Sequence, residues 1–560
     1  MKPKRKIIFN DVSSQYRRSQ EHQLKNISFE INEGELNLLA GPSGSGKSTL
    51  VLLLNGIIPH HSRAKVTGTI EVFGKNPVKE SVLEMSGYIG MLLQDPDSQL
   101  ATSRVRDEII LTLEFQGKSH DEINIITETL LKQFKIQNLA ENDSTRMSGG
   151  EKQLVALAAM MASDPNIIIL DEPTSNLDPV NTEKILRHVQ RFHEQKKTII
   201  LIEHKINEVF TYCPPDKILL MNNGKIIAHK TPNMLFKTTL LEDIGLSIPG
   251  VARYIEHSGL RNRKENNLPF SIPEFKKSIT SFSKKELSIL RESLRPPKRF
   301  NFKTEQILLS FNNITFAYRN QFQSSLTNLS FMINKGEFIA IIGNNGSGKS
   351  TLVKHIIGLN KPNTGVVIVS DVDTRESTTA QLASKISFLF QNPDNQIFNS
   401  SVLDEVKYAP ITCKMPKQVA ITRAKASIEA VGLAKYIDHN PLKLSMGQKQ
   451  RVAVASALAM APEIIVLDEP TTGQDPSSLN GIMDLMRKEY KTKTNLVMVT
   501  HDMDLVDQVA NRVIVMSDGK VIADGETDQI FMNREILGQS NLKPPLRIEM
   551  LAIVNRYLEK

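Results

Sequence analysis

Short runs of apolar residues recur along the chain, and each stops at a glycine or just before an acidic or histidine residue. LNLLAG ends at Gly41 and FIAIIG at Gly343; IIIL precedes Asp171 and IIVL precedes Asp468; TIILIEH ends at His204 and LVMVTH at His501. Runs this short, with no polar alternation, predict strands buried on both faces. KSTLVLLLNGI from Lys47 and KSTLVKHIIGL from Lys349 follow two of these strands directly and have the pattern of helices. Buried strands alternating with helices predict a parallel α/β sheet. NNGKIIA from Asn222 and SDGKVIA from Ser517 predict hairpins with a glycine turn.

Every one of these elements occurs twice. GPSGSGKSTL from Gly41 and GNNGSGKSTL from Gly343 are 302 residues apart, whereas QDPDSQ from Gln94 and QNPDNQ from Gln391 are 297 apart. Ser148 and Ser445, Asp171 and Asp468, and His204 and His501 keep the 297 spacing. The change of register lies between the pair Gly56/Gly358 and the pair Gly68/Gly365, so the first copy has a loop five residues longer, around IIPHHSRAKVTG. His60 and His61 in that loop have no third ligand in sight and are expected to be solvated. The first copy is placed at 1–260 and the second at 304–560. Residues 261–303 have no counterpart, contain Pro269, Pro273, Pro296 and Pro297, and are expected to form a linker with one short helix around Lys284–Leu294.

Composition narrows the class. The chain has 560 residues, 40% of them hydrophobic and 23% charged, which is globular composition and excludes disordered, collagen-like and disulfide-scaffold proteins. Two cysteines 200 residues apart, Cys213 and Cys413, suit a reducing compartment. The start, MKPKRKIIFNDV, lacks the apolar stretch of a signal peptide, and no apolar run reaches the roughly 18 residues of a membrane-spanning helix. The formal net charge of +8 invites a nucleic-acid reading, but its location removes the invitation. Residues 1–260 carry a net −1, residues 304–560 a net +1, and residues 261–303 the remaining +8. No nucleic-acid partner is expected. The basic strap is expected to be solvated, with contact to anionic lipid head groups as the alternative.

The candidate chemistry starts from G-x-x-x-x-G-K-[ST] at Gly41–Ser48 and Gly343–Ser350. Gly41, Gly44 and Gly46, like Gly343, Gly346 and Gly348, let backbone N–H groups turn toward one point. The following helix aims its positive end at the same point, which suits di- and triphosphates. Lys47 and Lys349 are expected to reach the β- and γ-phosphates, with Thr49 and Thr351 beside them, and Ser48 and Ser350 to hold Mg²⁺. Asp171 and Asp468 end apolar strands where a carboxylate can meet the Mg²⁺ shell. Glu172 and Glu469 follow, placed to polarise an attacking water.

Phosphate loop, Q-x-P-D-x-Q, S-x-G, apolar-run-D-E and a following histidine, in one order and twice over, resemble the ATP-binding cassette (ABC) ATPases across almost the whole chain except 261–303. The resemblance implies an α/β fold of two P-loop ABC ATPase domains. Each would have a parallel-sheet RecA-like core, an antiparallel β subdomain and a helical signature subdomain. It implies ATP and Mg²⁺ as ligands, with Tyr16 and Tyr318 stacking on adenine, each 25 residues before its loop glycine. Gln94 and Gln391 would sense the Mg²⁺ and the water, His204 and His501 would contact the γ-phosphate, and Asp178 and Asp475 would communicate between cassettes. In that family the cassettes pair head to tail, so Ser148 and Gly150 of one, and Ser445 and Gly447 of the other, would face the opposite γ-phosphate; here both cassettes lie in one chain. The second signature reads LSMGQ, with Met446 where the family usually has glycine. A Cβ there disfavours positive φ and fills space, which predicts a weaker but not dead site where Lys47, Asp171 and Glu172 meet Ser445; the alternative is that the methionine accepts the local backbone and points away, leaving the N–H donors in place.

Within the family, the doubled Q-x-P-D-x-Q and the EHK at Glu203–Lys205 resemble the energy-coupling factor (ECF) importers, including those for cobalt, vitamins and thiamine precursors. That resemblance implies an integral membrane coupling protein and a small substrate-capturing membrane protein as partners, with this chain peripheral on the cytoplasmic face of the cell membrane. A tandem sugar-import ATPase is a second reading, disfavoured by the doubled Q-x-P-D-x-Q. A ribosome-associated double cassette is a third, disfavoured by a connecting segment that is short and broken by prolines.

Overall fold

In the computed structural model the described residues are 5–17, 22–144, 147–175, 177–261, 267–297, 299, 304–319, 324–470, 476–491 and 494–559. They fall into two units, Met1–Phe282 and Ser283–Lys560. The segment 261–303, expected as a linker, is divided between them, and both parts carry helix. Ser271 caps Ile272–Ser278, and Ser283 with Glu286 forms a capping box on Lys284–Ser293.

The first unit is built on a six-stranded sheet. Its order is Ile89–Leu92, Ile167–Asp171, Thr198–Ile202, Leu36–Ala40, Lys217–Asn222 and Lys225–Lys230. Its strands are parallel except for the last, which returns antiparallel as the expected glycine-turn hairpin. The second unit repeats the order with Ile386–Leu389, Ile464–Asp468, Asn495–Val499, Phe338–Gly343, Arg512–Ser517 and Lys520–Glu526. Alternate residues of these strands enter different cores. Ile339, Ile341, Val466 and Val497 pack on one face, and Phe338, Ala340, Leu467 and Met498 on the other. Burial on both faces is the reason the strands read as unbroken apolar runs.

A smaller antiparallel sheet packs beside each core: Leu24–Asn32, Lys6–Tyr16 and Ala64–Val72 in the first unit. Leu326–Asn334, Ile307–Phe316, Thr364–Val369 and Val372–Asp373 form its counterpart. The loop that is five residues longer in the first copy, residues 57–67, holds the short helix Ile57–His60 and the start of strand Ala64–Val72, and both His60 and His61 are exposed. Three helices complete the helical part of each unit: Val105–Phe115, His120–Phe134 and Gly149–Met161 in the first. Val402–Thr412, Lys417–Ala430 and Met446–Ala459 complete the second. Among the described residues no helix is long and apolar enough to cross a membrane.

Candidate functional site

Three neighbouring parallel strands end on the same side of each sheet, and the chemistry-bearing residues cluster at those carboxyl ends. Leu36–Ala40 runs into the loop of Gly41, Ile167–Asp171 into Glu172, and Thr198–Ile202 into Glu203 and His204. The loop's first glycine has no room for a side chain: a Cβ on Gly41 would lie 2.4 Å from the Met221 carbonyl oxygen, and one on Gly343 2.3 Å from that of Met516. Gly46 (φ 103°) and Gly348 (φ 97°) cap the helices Lys47–Leu54 and Lys349–Ile356 from the left-handed region, which glycine enters without strain. Gly44 and Gly346 are also left-handed and face open space. Both lysines are buried and fold over their loops. Lys47 Nζ donates to the Gly41 and Pro42 carbonyls at 2.8 and 3.0 Å, and Lys349 Nζ to those of Gly343 and Asn344, both at 2.8 Å. Ser48 and Ser350 are exposed on the first turn, followed by Thr49 and Thr351.

The acidic pairs sit in unusual backbone and unusual electrostatics. Glu172 (φ 48°) and Glu469 (φ 47°) are left-handed non-glycine residues, a conformation that costs about 1–3 kcal/mol and clusters at functional sites. Each is held there by its backbone N–H, which donates to Ile202 at 2.9 Å or to Val499 at 2.8 Å. Burial, then the adjacent Glu172 charge, pushes the Asp171 carboxyl up to about 6 against the pull of Ser48, Lys47 and His204. Burial and Glu469 push Asp468 up to about 6 against Lys349 and Lys354. Burial also works to raise Glu172 and Glu469. For Glu172 it is outweighed by the His204 hydrogen bond and charge and by Lys47; for Glu469, by His501, Lys349 and Thr500. Both stay below the usual carboxylate range. In each unit, therefore, the aspartate is the protonation-prone member and the glutamate the ionised one. Serine hydroxyl, aspartate carboxylate and glutamine amide together offer oxygen donors that fit a small hard cation such as Mg²⁺.

Histidine and glutamine converge on the first glutamate. His204 Nε2 lies 3.1 Å from Glu172 Oε1, and Gln94 Nε2 donates to Glu172 Oε2 at 2.9 Å. In the second unit it is Nδ1 of His501 that lies 2.9 Å from Glu469 Oε2, and the His501 N–H reaches the same oxygen at 3.3 Å. The two copies thus present different imidazole nitrogens. Gln391 occupies the place of Gln94 at the end of the strand Ile386–Leu389. Tyr318 is brought to the phosphate-loop helix, its hydroxyl 3.4 Å from Thr351 Oγ1, with Lys354 Nζ 5.9 Å from its ring centre. Tyr16 ends its strand opposite Ala64 and packs on the core of the small sheet.

The Q-x-P-D-x-Q string is a brace. Gln99 Oε1 accepts from the Leu93 N–H at 3.0 Å, and Gln396 Oε1 from Phe390 at 3.1 Å, closing each loop on itself. Asp97 pairs with Lys152 at 2.5 Å and Asp394 with Lys449 at 2.6 Å, tying the loop to the helix that begins at Ser148 or Ser445. That helix is N-capped alike in both units, with Glu151 or Gln448 returning to the serine N–H at 2.9 Å. Ser148 Oγ also donates to the Glu151 carboxylate at 2.7 Å.

The backbone strain expected at Met446 is absent. It is the first residue of its helix, is 38% exposed, and is not among the positive-φ residues. A Cβ on its counterpart Gly149 would meet nothing within 4 Å. The glycine that the packing requires is the next one: a Cβ on Gly150 would lie 2.6 Å from Asn181 Nδ2, and Gly447 keeps that position bare in the second unit. Asp178 caps the helix Pro179–Glu194. Asp475 lies outside the described residues.

Sequence reasoning missed the buried Glu108 and Glu405, and the anchoring role of Glu203. Glu108 accepts from the N–H groups of Ala101 and Thr102 at 3.0 and 2.8 Å, and Glu405 from those of Phe398 and Asn399 at the same distances, fixing the chain just after Q-x-P-D-x-Q. Their 297-residue spacing was the available signal. Glu203, 4% exposed, accepts from the Thr174 hydroxyl at 2.5 Å and the His204 N–H at 2.8 Å, while Lys205 Nζ donates to the Leu177 carbonyl at 3.0 Å. Glu203 and Lys205 of the EHK string therefore anchor His204 to the loop that leads to Asp178.

Two phosphate-loop cores, each with an ionised glutamate against a histidine, define a tandem nucleotide-hydrolysing protein. The model of the ABC transporter family matches residues 24–175 and 326–472, and the chain belongs to that family; it is a double-cassette ABC ATPase that binds and hydrolyses ATP. An ABC transporter ATP-binding protein of Methanosarcina mazei is 35% identical over 96% of this chain and 92% of its own length. Another, from Caldanaerobacter subterraneus subsp. tengcongensis, is 34% identical over 97% of this chain and 95% of its own length. Neither name specifies a solute. Among solved structures, CbiO1 of Clostridium perfringens, part of the ABC transporter complex cbiONQ, is 33% identical over 44% of this chain and 99% of its own, with a TM-score of 0.39.

Proposed function

We propose that this chain is the energy-coupling ATPase of an ECF-type importer. In this reading it lies peripherally on the cytoplasmic face of the cell membrane and drives uptake of a small solute, such as a vitamin, a vitamin precursor or a metal ion. Its partners are an integral coupling protein and a small membrane protein that captures the solute. The observation that carries the reading is the doubled Q-x-P-D-x-Q, in which Asp97–Lys152 and Asp394–Lys449 join each glutamine loop to its serine-capped helix. Such a tie transmits a push on the loop to the residues that grip nucleotide.

Each phosphate loop binds one ATP, and Ser148 and Gly150, like Ser445 and Gly447, offer a hydroxyl and helix N–H groups suited to a γ-phosphate. Lys47 and Lys349 leave their loop carbonyls for the phosphates, and the loop N–H groups take up the charge that develops on the transferred group. Tyr16 and Tyr318 stack on the adenine. Glu172 and Glu469, ionised by their histidines and lysines, orient the attacking water, while His204 and His501 hold the glutamate and reach the γ-phosphate. Ser48, Asp171 and Gln94, and Ser350, Asp468 and Gln391, would hold Mg²⁺, which when bound neutralises phosphate charge. The solute never touches this chain.

The test is affinity purification of the full chain from detergent-solubilised membranes. Recovery of a coupling protein with a small solute-loaded membrane protein is expected. A sugar permease pair with a soluble binding protein would replace this reading with the sugar-import one, and ribosomes would remove the transport reading altogether.

A further inference from the structure

The helix that follows His501, Met503–Val509, is fastened at three points. Asp502 caps its start by accepting from the Leu505 N–H at 2.9 Å. Asp504 Oδ1 accepts from the N–H of Leu546, the first residue of the last helix, Leu546–Leu558, at 2.7 Å. At its far end, Asp507 is 2% exposed and meets two guanidinium groups. Arg547 Nε and Nη2 both donate to its carboxylate at 2.7 Å, and Arg299 Nη2 adds a bond at 3.1 Å. Arg299 also donates to the Asp507 backbone carbonyl, at 2.7 Å from Nη2 and 3.2 Å from Nε, and its Nη1 reaches Asp528 at 2.6 Å. Arg547 closes the network on Asp528 and on the Leu294 carbonyl.

Arg299 belongs to the unduplicated segment, and among the described residues of the first unit no arginine or lysine takes its place on the matching helix. There Asn207 stands for Asp504 and accepts from the Gly250 N–H at 2.7 Å, but Phe210 stands for Asp507. Phe210 packs against Phe236 and Phe270, with ring centres 5.4 and 5.6 Å away. The same segment is therefore held by aromatic contacts in one unit and by paired charges in the other. A guanidinium on a carbonyl in the last turn of a helix satisfies an orphan acceptor and complements the helix dipole. Asp507 is four helical steps from Met503, about 6 Å at 1.5 Å per residue, and His501 sits immediately before the Asp502 cap, so a clamp on this short helix bears on the histidine.

We propose that Arg299 is a positioning residue for His501: by clamping the end of Met503–Val509 it sets how firmly that histidine is held against Glu469, and it makes the segment joining the cassettes a regulator of the second site. The proposal rests on the reading of His501 and Glu469 as catalytic. Arg299→Ala leaves Asp507 paired with Arg547, so no buried charge is orphaned and the chain is expected to fold. In the full-length chain the variant is expected to lower kcat for ATP about tenfold, the scale of a small misplacement of a catalytic group, with KM changed by less than about twofold. Amide exchange is expected to rise in 501–509 and not in 204–212. Arg299→Lys, which keeps the charge without the fork, is expected to restore part of kcat. Unchanged kcat, or a loss that Lys does not relieve with exchange raised throughout the unit, overturns the clamp alone. Full turnover by Glu469→Gln overturns the catalytic reading and the clamp with it.

Discussion

Acidification should loosen the first cassette through one residue, His188. It lies on Pro179–Glu194, the helix that leaves Asp178, and stacks on Phe134 of the helical part with ring centres 4.5 Å apart. The ring is 7% exposed, and its Nδ1 has no hydrogen-bond partner among the described residues. Burial, with Arg191 and Lys135 nearby, lowers its pKa from the usual 6.5 to about 4. Because the folded value is the lower one, the stabilisation is fully present above pH 6.5 and is lost as the pH falls toward 4. At 1.36 kcal/mol per pKa unit this amounts to about 3 kcal/mol, about 2 of it by pH 5. His188→Leu removes the proton site and leaves no hydrogen bond unmade. Urea unfolding of the full chain, read on peptides covering 179–194, should therefore favour the variant over the wild type by about 2 kcal/mol more at pH 5 than at pH 7.5. A difference between the two proteins that does not change with pH would refute the reasoning.

Two further outcomes follow from the signature helices. Gly150→Ala should cost about 1–3 kcal/mol and lower ATP turnover, because its Cβ collides with the Asn181 side chain that Asp178 holds at 2.9 Å. Gly149→Ala, with open space and helical backbone, should cost nothing or gain up to about 1 kcal/mol; thermal unfolding and ATPase assays distinguish the pair. Asp97→Asn breaks an ion pair whose carboxylate is 66% exposed, so the thermal midpoint should barely move while turnover falls; a midpoint shift with unchanged turnover would make the brace purely structural.

The sheet core and the phosphate loops were legible because their signals are local: continuous apolar runs, glycines at fixed spacing, and the same order twice. What was not legible depends on contacts distant in sequence. Glu203 gives no sign in the sequence that Thr174 lies against it, 29 residues away. Arg299 looks like one more charge in a basic strap until it is seen on Asp507, 208 residues on. The backbone strain expected at Met446 failed for the opposite reason. The motif expects glycine there, but a motif does not record which of its glycines lacks room for a Cβ; here that is Gly150 and not Gly149.

The most direct test is ATP turnover by the full chain carrying Glu172→Gln and Glu469→Gln together, measured alongside ATP binding. The account predicts that the double variant still binds ATP but hydrolyses it at a rate indistinguishable from background. Turnover close to that of the wild type would contradict it.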